Sequence, residues 1–133
     1  MAGELLKTVT LGNGLTVRFY DQTRHYYGDF HLVRLEIVCE VPLRAEYFPT
    51  SDDFEEAGRL IKDPATYRRE IDQMGVPSTA IETARQRLMD NFLEHSLPYF
   101  SVVSFPARFA RAELARARKH AAVRRRFIID PHA

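Results

Sequence analysis

Residues 5 to 19 alternate between apolar and polar side chains on both sides of Gly12-Asn13-Gly14, and this pattern restricts the chain more than any other feature. Leu5, Lys7, Val9 and Leu11 alternate with Leu6, Thr8 and Thr10; Leu15, Val17 and Phe19 then alternate with Thr16, Arg18 and Tyr20. A period of two places successive side chains on opposite faces of a strand, and a Gly-Asn-Gly break between two such runs predicts an antiparallel hairpin. Register follows from the loop. A two-residue Asn-Gly loop sets Val17 opposite Thr10, whereas a three-residue loop pairs Val9 with Val17 and Leu11 with Leu15. The second keeps the apolar sets together and uses Gly14 for positive φ, so it is the expected register.

A third strand is expected from Phe30 to Val41, with Val33, Leu35, Ile37, Cys39 and Val41 on one face and Arg34, Glu36 and Glu40 on the other; Val38 is the exception. Pro42 lacks an amide donor and ends it. Residues 1–42 thus read as an antiparallel meander. The segment between strands, residues 21–29, is read as a loop too long for a minimal hairpin.

From residue 51 the punctuation becomes helical. Ser51, Asp52 and Asp53 offer N-cap and first-turn acids for a short helix with Phe54, Ala57 and Ile61 on one face. Asp63-Pro64 and Gly75 bracket a second predicted helix, residues 64–74, with Tyr67, Ile71 and Met74 inward. Thr79 and Glu82 suit a capping box for a third helix, on which Ile81, Ala84, Leu88 and Phe92 form the apolar face up to Leu97-Pro98. Residues 51–97 are therefore a helical layer. Residues 99–105 are β-favouring, and Pro106 opens a last helix to about Val123 that is rich in alanine and poor in large apolar side chains.

The expected fold is one α+β domain spanning residues 1–133, a single layer of three or four antiparallel strands packed on one face by three or four helices. Its third part, residues 98–133, holds the short strand, the basic helix and the tail. A chain of 133 residues is long enough for its own core. No run approaches the ~18 to 20 apolar residues that cross a bilayer, the start has no signal-peptide pattern, and a single cysteine precludes an internal disulfide, so the expected location is the cytoplasm.

The net charge of +1 conceals an asymmetry: from Pro106 onward eight Lys/Arg face only Glu113 and Asp130, while residues 1–105 carry eleven Lys/Arg and sixteen acids. A basic segment on a mildly acidic body can engage an anionic partner. Candidate ligand or nucleic-acid contacts are accordingly Arg108, Arg111, Arg116, Lys119, Arg124, Arg125 and Arg126. Arg24, His25, Tyr26 and Tyr27 join them, because cations interleaved with aromatics can stack bases or clasp a peptide.

No pattern names a reaction. The five histidines show no zinc spacing, there is no Gly-x-Ser-x-Gly elbow, no Gly-x-Gly-x-x-Gly and no Walker loop. No metal, cofactor or catalytic residue is assigned. His95 is read as a helix C-terminal residue, Cys39 as a buried strand residue, and Glu36 and Glu40 as a solvated strand face. The leading expectation is a non-catalytic interaction or assembly module that self-associates, most simply as a dimer, because a sheet edge and a core-poor terminal helix both need covering. Nucleic-acid binding through the basic helix is the alternative. An enzyme or small-ligand site assembled from distant residues such as Tyr26, His31, Glu36 and His95 is the third.

Overall fold

The computed structural model describes residues 3–129, with side chains to residue 125. It is an α+β fold with one five-stranded antiparallel sheet and four helices. The chain divides into two compact units, Met1–Glu40 with Thr66–Val103 and Val41–Ala65 with Ser104–Ala133.

The first unit is built on the expected hairpin. Strand β1 (Leu5–Thr10) pairs with β2 (Thr16–Asp21) in the register Val9 to Val17 and Thr10 to Thr16. Leu11 N–H donates to Leu15 O at 2.7 Å, and Gly14 takes φ +88°, a conformation that glycine adopts without steric cost. Asn13 gives the turn a second function. Its amide donates to Phe100 O (2.8 Å) and Val102 O (2.9 Å), while its carbonyl oxygen accepts from Leu15 N–H (3.1 Å).

Strand β4 (Phe30–Val41) has the expected bounds and pairs with β2 through Val17 to Cys39 and Phe19 to Ile37. Residues 21–29 are not the expected loop. Gln22 N–H donates to Arg34 O, and β3 (Arg24–Tyr27) continues along the same edge of β4, Arg24 opposite Leu32 and His25 opposite His31. The Asp21 carboxylate accepts from Thr23 N–H at 2.9 Å, and this Asx turn interrupts the alternation where the strand bends. Gly28, at φ +54°, closes the tip.

Residues 64–74 are not a helix: β5 (Ala65–Pro77) is a thirteen-residue strand paired to β4. Asp63 is not a helix cap; its carboxylate accepts from Leu43 N–H at 3.1 Å, and the Asp63-Pro64 peptide is cis. The spacing of Tyr67 and Ile71 suits a helix face and a strand face equally. The deciding set is Arg68, Glu70 and Asp72, which alternate at period two and meet the polar face of β4: Arg34 reaches Glu70 (3.1 Å) and Asp72 (3.2 Å), and Arg68 reaches Glu36 (3.3 Å). Met74, expected inward, is 67% exposed.

The other face of the sheet is the core of this unit. Val17, Phe19, Val33, Leu35, Ile37 and Cys39 are essentially inaccessible. They lie under helix α2 (Ile81–His95) and the short helix α3 (Leu97–Phe100), from which Phe92 meets Phe19 edge-on at 5.6 Å and Phe100 lies 4.7 Å from the ring of Tyr67. Val33, Val76 and Ala84 form a second patch with Ile81 and Leu88. The expected capping box is not formed, since a 3-10 turn, Ser78–Ala80, precedes α2 and no side chain caps it. Nor are residues 99–105 a strand: they finish α3, turn and enter the last helix. Both edges of β4 are already occupied, and Phe100 and Phe105 are buried from helical backbone instead.

In the second unit, α1 (Ser51–Leu60) is capped by Thr50, one residue earlier than expected, whose hydroxyl accepts from Asp53 N–H at 3.1 Å. Helix α4 (Phe105–Ile129) outruns its expected end at Val123. Its contact surface is small: Ala110 and Leu114 pack with Ala57 and Phe48, flanked by Leu43, Tyr47, Phe54 and Ile61.

Asn13→Ala should lower stability by about 1–3 kcal/mol, because two carbonyls and one amide lose a partner together. Asn13→Asp should do no better, as it sets a carboxylate against the carbonyls of Phe100 and Val102. Urea unfolding of the three proteins measures this.

Candidate functional site

Arg24, His25, Tyr26 and Tyr27 are all exposed on β3 at the tip of the sheet. Pairing with β4 fixes their spacing. His25 Nε2 donates to Gly28 O, and its ring meets that of His31 edge-on at 5.2 Å. Asp29 accepts hydrogen bonds from Ser78, which hold its carboxyl below the ordinary range. Tyr26, Tyr27 and Phe30, exposed by 46, 74 and 45%, give this end of the sheet an aromatic surface. The tip does not present a nucleophile and base in contact, and no three His, Cys, Asp or Glu gather to hold a metal among the described residues.

Cys39 lies in β4 as expected. Burial pushes its thiol up to about 11, so it remains protonated and unreactive near neutrality.

Two features of this unit were not anticipated from the sequence. One is the ladder of Arg34 and Glu36 with Arg68, Glu70 and Asp72, whose signal is the period-two run of charges in residues 68–72. The other is the pair between Arg85 of α2 and Asp21 of β2, at 2.5 Å with side chains 21 and 14% exposed. No local pattern connects residues sixty-four apart, so this pair could not have been read from the chain.

The cations of α4 are not one surface. At about 100° per residue, Arg111 and Arg118 fall on one flank of the buried stripe, Arg116 and Arg124 on the other, and Arg108 and Lys119 away from both. The first flank is engaged within the unit: Arg111 donates to Tyr47 O (3.1 Å), and Arg118 bonds Asp53 (2.6 Å) and Glu56. Arg116 pairs with Glu113 at 3.1 Å, and Arg125 donates to Ala121 O at 3.5 Å. The side chain of Arg126 lies outside the described residues. Arg24 to Tyr27 belong to the first compact unit and the α4 cations to the second.

The sequence also gave no notice of the groove beside the second flank. Leu60, Ile61 and Lys62 at the end of α1 face Arg116, Ala117, His120, Ala121 and Arg124 of α4 across a cavity of about 370 Å³.

Arg118 makes a pH-dependent contribution. Its hydrogen bond, ahead of its charge, holds Asp53 below the ordinary value of 3.8. A lowered folded-state pKa stabilises above the unfolded value and loses that contribution as pH falls through the folded one. Arg118→Gln should therefore be less stable than the parent near neutrality, and the two should converge as Asp53 is protonated at acid pH. Denaturant unfolding at both pH values gives the comparison. Set against known proteins, the chain matches no family model, no curated protein and no solved structure.

Proposed function

We propose that this protein is a non-catalytic assembly module that dimerises through the outer edge of β5. The observation that carries this reading is the strand itself. β5 is the longest strand, it pairs with β4 alone among the described strands, and residues 68–70 are exposed. Such an edge presents a row of backbone donors and acceptors that another strand can satisfy.

The opposite edge of the sheet is a poorer candidate. β1 has six residues, and its register shifts between Leu5 and Lys7. Short length, irregularity and an edge lysine are the devices by which sheets avoid edge pairing.

A second copy is the occupant that the charges of β5 favour. In an antiparallel pair with Arg69 on the two-fold axis, Arg68 of each copy stands opposite Glu70 of the other, and Tyr67 stands opposite Ile71. Two ion pairs extend the ladder already formed with Arg34 and Glu36. Centring the axis on Arg69 sets two arginines opposite each other, and centring it on Glu70 sets two glutamates together while pairing Arg68 with Asp72, so charge favours self-pairing without fixing one register. An edge pairing of this kind buries less than the ~1,600 Å² of a standard interface, as weak and transient associations do.

Nucleic-acid binding is less well supported, because Arg111 and Arg118 already bond groups of their own unit.

Sedimentation velocity tests the dimer. Neighbouring residues of a strand direct their N–H groups to opposite edges, so of Arg69→Pro and Glu70→Pro one removes a bond to β4 and the other only an outward donor. The outward variant should keep its far-UV circular dichroism and melting temperature yet sediment as a monomer. A parent protein that stays monomeric at high micromolar concentration, or a dimer that survives both prolines, would overturn the assignment.

A further inference from the structure

We propose that the groove of the second unit binds a small organic polyphosphate. Its two walls come from the end of α1 and one flank of α4, and its volume of about 370 Å³ falls in the range of small-molecule sites. Its lining divides by chemistry. Leu60, Ile61, Ala117 and Ala121 supply an apolar floor, and Lys62, Arg116, His120 and Arg124 stand around it.

The spacing identifies the ligand class. Arg116, His120 and Arg124 are four residues apart on one helix face, so they rise about 6 Å at each step and form a stripe about 12 Å long. Lys62, two residues beyond the end of α1, faces the stripe. A single compact anion could meet one or two of these groups. A chain of two or three phosphoryl groups carries enough oxygens, over enough length, to meet several, and the guanidinium forks suit paired phosphate oxygens. The apolar floor suits the organic part.

Two groups oppose the anion. Glu113 lines the groove and holds Arg116 at 3.1 Å, and the carbonyl end of α1 carries partial negative charge. The Glu113 carboxylate is 18% exposed and occupies Arg116 as a ligand oxygen would. A bound phosphoryl group therefore exchanges with Glu113 for that guanidinium. Removing the carboxylate should strengthen binding, which a merely structural role for Glu113 does not predict.

Isothermal titration of the full chain with inorganic pyrophosphate and tripolyphosphate, at low and moderate salt, tests the proposal. Tripolyphosphate should bind more tightly than pyrophosphate, and affinity should fall with added salt. Arg116→Gln and Arg124→Gln should each weaken binding about tenfold or more, and Glu113→Gln should tighten it. Lys119→Gln is the control, since Lys119 lies about 100° round the helix from His120 and does not line the groove. Arg116, Lys119 and Arg124 are on the helix surface and Glu113 is partly buried, and unchanged far-UV circular dichroism certifies each variant. Absence of binding at millimolar tripolyphosphate, or an equal loss on Lys119→Gln, would refute the site and leave only diffuse attraction to a basic helix. A long single-stranded DNA that binds far more tightly than tripolyphosphate, with Lys119 contributing as much as Arg116, would also overturn it, in favour of a nucleic-acid surface.

Discussion

The first unit depends on β4 being paired along both edges while one face is sealed from water. The extended backbone of β4 is paired with β2 and β3 on one side and with β5 on the other, and Val33, Leu35, Ile37 and Cys39 then fill the interior without burying a polar side chain among them. Burying a strand this completely is favourable only if its amides and carbonyls find partners, since each orphaned group costs about as much as a hydrogen bond contributes. That requirement explains why residues 65–77 are extended. Their local sequence is compatible with a helix, but a helix there would leave one edge of β4 without donors or acceptors to meet it.

How far the sequence disclosed the fold follows from the same point. The hairpin, its register and the limits of β4 were legible because apolar and polar residues alternate strictly there, and each misregistration would turn a valine or leucine outward. β5 was illegible because its apolar residues are few and four apart, a spacing common to both periods, while its real period is carried by charges that single-chain reasoning treats as solvated. β3 was hidden by the Asx turn at Asp21, which imitates the start of a loop. The cap of α1 was misplaced by one residue because Thr50, Ser51, Asp52 and Asp53 compete for it, whereas at α2 a 3-10 turn without a side-chain cap stands where a capping box was expected.

The basic character of the last helix was visible in composition, but its distribution was not. Ala110 and Leu114 pack toward α1 and Ala117 and Ala121 line the groove, and the arginines divide around them according to helical angle. Arg118 is held by two acids of α1, so part of the apparent excess charge is internal to the unit. Counting charges along a chain overstates the field that a partner would meet, because pairing is a property of faces and not of segments. The same angular division leaves Arg116, His120 and Arg124 in a line, a coincidence of four-residue spacing invisible to a charge count.

The pair of Asp21 and Arg85 shows how the sheet and α2 are fitted together. Asp21 stands opposite Leu35, on the side of β2 that carries Val17 and Phe19, so the alternation would place a hydrophobic residue there. A carboxylate at this point is tolerable because it accepts from Thr23 N–H and from Arg85, with both side chains more than three-quarters hidden. Arg85 reaches Glu82 as well, although its Nε is without a partner among the described atoms. Removing Arg85 would strand the Asp21 carboxylate in a low-dielectric setting, whereas two apolar residues could fill the same space at little cost in stability. What the pair adds is direction: it bends the chain at the β2–β3 junction through one carboxylate oxygen and anchors α2 through the other, so that the turn and the helix are aligned by a single side chain.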